Sequence, residues 1–526
     1  MVKYLDNNAS GFRQFSEMKE KNAPKFGFFT WILLFLIVYW LFLPQKKVDG
    51  PQQQTPEIER VDVSKVPRHL LSNTKISATI QGFRISDIEL ADYKENRKSD
   101  KKIRLLSGEN EFIEIGFLAN GATVPMADTK PAESESSTSF ESRMRWKSDG
   151  GVEIKRGVAL PFGSEYIIAV TDEVKNIGKT PVFVSQYARV VQSRGESSQF
   201  AIKTGGIAYI NGKIETELWD DIEKRPLIYQ SDGSQSDFVG FSDQYWQAIV
   251  ATSEPSSKVI KLKKRADKMF QAEIAPELAQ ISAGKTATFT TFVFAGPKTQ
   301  GALLNAGKNI AGIDRTLDYG WFGFLSRPFL WTLNWLYDII PSYGIAIILL
   351  TLIIRAMMWP LTRKSFKGMA AMQKIQPEMR RIQELYADDK MRMQQEILRL
   401  YRTHKANPLS SIGMMFLQIP IFFALYKALL IAVPLRHASF LWLTDLSARD
   451  PYFILPIIMG LTMYIQNKIN GAGQNPDMPG AKVMKYMPFA FTVLFAWMPS
   501  GLVLYWTVSN IVGIIQLKLM KKGENK

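Results

Sequence analysis

The sequence predicts a polytopic α-helical membrane protein with six spans, a large β-sandwich domain on one side of the bilayer and a basic helical hairpin on the other. Three observations predict it. Long apolar runs fall only in residues 28–43 and beyond residue 341, the stretch between them is polar with strand-like alternation, and the charge excess lies beside the apolar runs. A length of 526 residues has room for two or three domains. The mean hydropathy of −0.07 averages over these unlike parts.

The net charge of +16 is unevenly placed. Gly50 to Asp318 carries 35 basic and 35 acidic residues, the first 49 residues carry 7 against 4, and residues 319–526 carry 23 against 10. Nucleic-acid binding needs a basic face on a soluble domain, which the neutral middle does not supply. A topology signal accounts for the excess better. The absence of cysteine excludes disulfides and thiolate chemistry. His69, His404 and His437 fall in separate segments, so no metal site or histidine-based catalytic group can be read from them, and no cofactor motif is present.

The first run, Phe28–Leu43, is long enough to cross, and no small-residue cleavage pattern follows it, so it is expected to remain as an anchor behind a 27-residue extension, 1–27. The other five spans are Ile345–Leu361, Ile412–Val433, Tyr452–Ile465, Tyr486–Met498 and Leu502–Leu519. The fourth and fifth spans are short, and Pro420, Pro456, Pro488 and Pro499 add kinks. Lys and Arg number five in 1–27, eleven in 363–405, three in 466–485 and four in 518–526, against two in 434–451 and none in 499–501. Both termini and the long basic segment are therefore expected in the cytoplasm, with 61–318 translocated.

Residues 44–60 read as a Pro- and Gln-rich tether. Beyond it, Glu111–Leu118, Glu165–Val174, Pro181–Val191, Tyr245–Val250 and Thr286–Ala295 have strand character, with turn formers between them, and TATFTTFVFA alternates clearly. An antiparallel β-sandwich over 61–318 follows, with Ala132–Ser139 (AESESSTS) as a low-complexity loop. Its carboxylates suit solvated strands better than a catalytic pair, so scaffolding or binding is the expected role. Residues 319–340 include Trp331 and Trp335 one turn apart, the pattern of a helix lying in the outer interface, and Pro341 separates it from the next span.

Within 363–405, Ile375, Met379, Ile382 and Tyr386 form one seam and Met393, Ile397 and Leu400 a second, so the segment should fold back as a short antiparallel coiled coil. Arg380, Arg381, Lys390, Arg392, Arg399 and Arg402 lie off the seam. They suit acidic lipid, or a dock for a targeting factor, a ribosome or the polar part of a client chain.

Arg355 lies in IAIILLTLIIRAMMWPL, eight residues before Arg363. On one straight helix that is about 12 Å from the cytoplasmic boundary. An arginine at mid-span costs about 2.5–3.5 kcal/mol on insertion scales and belongs in a bundle interior or a wet cavity. No carboxylate lies in any expected span; the polar groups on offer are Thr351, Gln418 and the Thr507-Ser509-Asn510 cluster. A hydrated groove is the favoured reading, against an arginine tied to backbone carbonyls. Sixteen of the 21 methionines follow residue 341, which suits an adaptable apolar surface and equally an ordinary membrane core.

The runs RAMMWPLT, YADDKMRMQQEILRLYRTHKANPL, QIPIFFALY, FLWLTDLSARDPYFILPIIMG and MPSGLVLYWTVSN closely resemble the YidC membrane protein insertases, related to the mitochondrial Oxa and chloroplast insertases, over roughly residues 319–520. The large translocated domain and the stretch GFSDQYW resemble the Gram-negative form, whose periplasmic domain is a β-supersandwich similar to sugar-binding folds. The resemblance implies an inner-membrane insertase whose five-helix bundle, 341–520, surrounds a hydrophilic groove open to cytoplasm and lipid. It implies that Arg355, with Thr351 beside it, attracts polar parts of a client. It implies client contacts at Pro420 and Phe422 on the third span, Met459 on the fourth, Phe495 and Trp497 on the fifth, and Tyr505 and Trp506 on the last. The implied partners are nascent membrane proteins, the lipid bilayer, the Sec translocon, the ribosome and signal recognition components. The chain departs from the family pattern in its long extension 1–27, in Lys427 where an uncharged residue is common, in Trp506 and Leu494, and in the short basic tail 521–526.

Two rivals share some features. A solute transporter or channel would also use the buried Arg355, but transporters usually show paired repeats and none appears here. A membrane-anchored glycan enzyme would reduce the bundle to an anchor.

Overall fold

The computed structural model describes residues 63, 65–108, 110–120, 122–123, 131–138, 140–148, 151–195, 204–233, 236–404, 409–469 and 481–524. The expected extension 1–27, first span 28–43 and tether 44–60 lie outside the described residues. The chain forms two compact units. One comprises Asp49–Tyr343 with Pro420–Ser447, and the other contains Gly344–Ile419 and Ala448–Lys526.

The first unit is built on two antiparallel sheets. One runs through Arg68–Ser72, Ile76–Gln81, Arg84–Lys94, Phe112–Ala119, Val182–Gln192, Phe270–Pro276, Lys258–Lys264 and Leu227–Ser231. The other runs through Lys213–Leu218, Gly205–Ile210, Asp237–Ser242, Trp246–Thr252, Thr286–Pro297, Ile167–Asn176, Val152–Ala159, Glu141–Ser148 and Glu133–Thr138. The five strands expected from alternation all form, displaced by no more than two residues at each end. Ala132–Ser139, expected as a loop, instead contributes the edge strand Glu133–Thr138, paired with Glu141–Ser148. An edge strand is held by backbone hydrogen bonds along one side only, so polar composition does not forbid it.

Apolar side chains fill the space between the sheets. Phe117 and Phe289 meet edge to face at 5.4 Å from opposite sheets. Trp219, on the short helix α1 (Trp219–Lys224), stacks on Phe241 of one sheet and meets Phe270 of the other edge-on. A polar bolt crosses this core. Arg156 holds Asp172 through two bonds of 2.7 Å and donates to the Ile115 carbonyl of the facing sheet at 2.8 Å. Gln186 closes the network from that facing sheet, donating to Asp172 and accepting from Thr291. Burying charge is tolerated here because both partners are saturated with hydrogen bonds.

Helix α2 (Gln300–Ala306) follows the sheets and α3 (Gly323–Ile339) follows it. Helix α3 buries Leu330, Leu333 and Leu336 while Trp331 and Trp335 stand exposed and stacked at 6.4 Å. It stops at Ile339, because the residue before Pro341 is driven out of helical geometry.

The second unit starts with α4 (Tyr343–Met357), whose first residue belongs to the other unit, and continues into α5 (Trp359–Leu385). The expected span Ile345–Leu361 is not one straight helix. It breaks at Met358 and turns by 58°, so Trp359–Leu361 open the hairpin arm. Pro360 is the physical reason: it has no N–H to donate and its ring crowds the preceding turn. The 12 Å depth reckoned for Arg355 along a straight helix therefore does not hold; Arg355 lies in the last turn of α4.

Helix α6 (Lys390–Thr403) packs on α5 through Ile375, Met379 and Leu400, with Ile382 and Ile397 at the margin. Asp389 starts α6 by accepting from the Arg392 N–H at 3.0 Å. Four helices follow: α7 (Leu409–Ile431), α8 (Ile454–Ile469), α9 (Ala481–Phe495) and α10 (Ser500–Glu524). Among the described residues, Ser500–Met520 is long and apolar enough to cross a bilayer, and the bent pair Tyr343–Met357 with Trp359–Met372 is so if counted as one span. The apolar stretches Gln418–Ile431 and Tyr486–Phe495 are shorter.

Replacing Asp172 by Ala should cost the β domain about 3–5 kcal/mol, since it strands the buried Arg156 guanidinium, and denaturant unfolding of the full chain reads this directly. A second expectation concerns Glu254, whose carboxyl burial pushes up to about 7 against the opposing pull of Lys258. The folded state thus holds that proton more tightly than the unfolded chain. Its stabilising contribution is complete below the ordinary value of 4.5 and is lost as pH rises through about 7. Glu254→Gln should therefore melt higher than the native chain at pH 8 and show no such advantage below pH 4.5.

Candidate functional site

Arg355 is 8% exposed, in an apolar helix, and its Nε donates to Ser509 Oγ on α10 at 2.9 Å. Among the described residues no Asp or Glu pairs with it. Helix geometry explains how α10 serves the guanidinium. Tyr505, Ser509, Gly513 and Gln516 are four, four and three residues apart, so they form one stripe of an otherwise apolar helix. The Tyr505 hydroxyl accepts from Gln418 Nε2 of α7 at 3.1 Å and is hydrogen-bonded to Ser509. Gln516 Nε2 donates to the Arg355 carbonyl at 3.4 Å, one of the carbonyls left open where α4 ends. A side chain at Gly513 would stand 3.0 Å from Gln466 Nε2 of α8, so the glycine admits that amide beside the Arg355 guanidinium. Three helices are thereby joined through the polar chain Gln418–Tyr505–Ser509–Arg355.

Other expected site residues serve the packing. Thr351 is fully buried one turn before Arg355, but its hydroxyl donates back to the Ile347 carbonyl at 2.6 Å. Asn510 turns away from Arg355 to α8, donating to the Met459 carbonyl at 3.5 Å and Thr462 Oγ1 at 3.3 Å. Helices α8 and α9 approach closely at Gly460, where any side chain would collide with Thr492 Oγ1. Asp450 opens α8 by accepting from the Leu455 N–H at 2.7 Å and the Tyr452 N–H at 3.0 Å.

Of the expected client contacts, Met459, Phe495 and Tyr505 are buried, whereas Trp497 is 57% exposed. Phe495 and Trp506 meet at 5.1 Å and share Phe491, forming an aromatic wall between α9 and α10. Pro420 and Phe422 belong to the other compact unit, where Phe422 packs on Phe423 and Tyr426. On the hairpin, Arg380, Arg381, Lys390, Arg392, Arg399 and Arg402 are all exposed. Gln516 and Thr462 were not singled out from sequence. The signal available for Gln516 was its place on the Tyr505–Ser509–Gly513 stripe.

A two-sheet domain followed by a helical core, with a buried arginine that no carboxylate pairs with among the described residues, defines a class: a membrane-embedded helical unit with an extramembrane β domain. The comparisons make this specific. The family described as "60Kd inner membrane protein" matches residues 335–526, and the "YidC periplasmic domain" matches residues 71–332. The membrane protein insertase YidC of Geobacter sp. (strain M21) is 36% identical over 365 residues, 68% of this chain and 66% of its own length. That of Geotalea daltonii is 31% identical over 532 residues, 94% of this chain and 98% of its own. A solved structure described as an active YidC insertase with the first transmembrane domain resolved is 19% identical, covering 86% of this chain and 94% of its own at a TM-score of 0.36. The chain belongs to the YidC membrane protein insertase family, whose members are inner-membrane proteins with a periplasmic domain. The transporter or channel alternative gains nothing from these relatives.

Tyr505→Phe should disconnect Gln418 from Ser509 while keeping the ring's packing. The loss of one neutral hydrogen bond, about 0.5–1.5 kcal/mol, should appear as a modest fall in melting temperature of the purified chain.

Proposed function

We propose that this chain integrates membrane proteins into the inner membrane through a polar groove at Arg355, Gln418 and Ser509, flanked by Thr351 and Asn510, whose polar groups are engaged in packing. The observation that carries the proposal is Arg355 itself: a buried guanidinium held by a serine hydroxyl and paired with no carboxylate among the described residues. A polar or acidic segment of a client supplies the missing counter-charge on its way across, and the rest of that client gains apolar burial in lipid. The arrangement lowers a barrier without breaking a covalent bond, so we assign no enzymatic activity, cofactor or metal to it. Client contacts in the helical unit are Met459, Phe495, Trp497, Tyr505 and Trp506, with Trp497 and the Phe495–Trp506 wall supplying aromatic surface; Pro420 and Phe422 are separate contacts on the other unit.

The placement of basic residues supports six spans, cytoplasmic termini and a periplasmic β domain. The exposed arginines and lysine of the hairpin then face the cytoplasm, where they suit a ribosome or signal recognition components. Action alone or beside the Sec translocon is compatible with a groove open to lipid.

Reconstitution in liposomes with a small single-span client tests the assignment. Client insertion should exceed that into protein-free liposomes, and equality would sink it. Arg355→Ala should lower insertion roughly ten- to hundredfold, the worth of one hydrogen bond to a charged group at about 1.5–3 kcal/mol, while Arg355→Lys retains most of it. Full activity in both variants would remove Arg355 from the mechanism.

A further inference from the structure

The segment Pro420–Ser447, comprising the outer part of α7 and the loop after it, belongs to the same compact unit as the two sheets. Three separate stretches of the β domain converge on it. From the end of the strand Arg84–Lys94, the Lys94 and Glu95 carbonyls each accept from Arg436, through Nη1 and Nη2, at 2.7 Å. Beside them, Arg97 Nη1 reaches the Thr444 carbonyl at 3.4 Å, and the Arg436 guanidinium lies 5.9 Å from the Trp246 ring. From the second stretch, Gln244 Nε2 donates to the Leu430 carbonyl at 3.2 Å. Leu430 is in the last turn of α7, where carbonyls have no partner within the helix, so Gln244 acts as an external cap.

The third stretch follows the sheets. Asp318 Oδ2 pairs with Lys427 Nζ at 2.7 Å. Gly320, at φ 71°, passes so close that a side chain there would stand 3.3 Å from Lys427 Cγ. Phe322 stacks on Phe423 at 6.4 Å. Lys427, a charge that reads as foreign in an apolar helix, is therefore neutralised by the β domain and does not reach out to water alone. Arg436 suits this place better than a lysine, since the planar fork of a guanidinium presents two donors at fixed spacing to two adjacent carbonyls.

We propose that the β domain is a clamp on the outer half of the third span, and that Arg436 and Lys427 are positioning residues for insertion because they hold that half of α7 in place. The proposal rests on the insertase assignment for its effect on activity, but the clamp itself can be read without it. The chain has no cysteine, so labels can be placed at will. Spin labels at Lys155→Cys in the β domain and Ser439→Cys in the clamped loop, both exposed positions, report the distance between them by double electron–electron resonance. The otherwise native full chain should give one narrow distribution. Arg436→Ala combined with Lys427→Ala should broaden it and lower client insertion about threefold or more. The exchange Lys427→Asp with Asp318→Lys, Arg436 being kept, should restore both relative to Lys427→Ala alone, which a merely misfolded variant would not do.

An unchanged distribution in the double variant would overturn the clamp. A broadened distribution with unchanged insertion would overturn the positioning role. If the native chain inserts no client above protein-free liposomes, the insertase assignment and the positioning role fall together, and the distance distribution still decides the clamp.

Discussion

A guanidinium buried in an apolar helix, with no carboxylate paired to it among the described residues, is the constraint around which the helical unit is arranged. Such a group must find neutral acceptors or water, and both restrict what surrounds it. The α10 stripe answers the restriction with a serine at Arg355 and a tyrosine that links Ser509 to Gln418 of α7. A carboxylate in place of Ser509 would pair with Arg355 and cancel its charge. The hydroxyl holds the side chain's direction without cancelling its charge.

The β domain solves the opposite problem. Buried ion pairs such as Arg156–Asp172 and Lys258–Asp237 tie its strands and sheets together. Paired charges give a rigid body, which is what a domain needs if it is to hold a membrane helix by a few hydrogen bonds. The two units thus use charge differently: buried ion pairs tie the sheets together, whereas Arg355 is held by a neutral hydroxyl.

Much of this was legible in the sequence because it depends on local periodicity. Alternation marked the strands Phe112–Ala119 and Thr286–Pro297, and the heptad spacing of Ile375, Met379 and Leu400 marked the hairpin seam. Arg355 stood out because hydropathy makes any charge in such a run conspicuous. Features set by backbone pairing or by distant partners were not legible. The strand Glu133–Thr138 is polar and owes its existence to its neighbour, and Asp318 lies 109 residues from Lys427. The break at Met358 left a trace in Pro360, but hydropathy does not fall there, so the run read as one span. The hydroxyl of Thr351 and the amide of Asn510 are engaged in packing, a choice among acceptors that residue type alone does not determine.

The same break gives the hairpin a mechanical meaning. Helix α5 has 27 residues, so its tip stands about 40 Å from the Met358 bend. Arg355 sits three residues on the other side of that bend. The hairpin arm and Arg355 thus flank a single bend, and a rotation of the arm about Met358 would be taken up first in the last turn of α4. Because the tip is far from the bend and Arg355 close to it, a wide sweep of the tip would correspond to a small displacement beside the guanidinium.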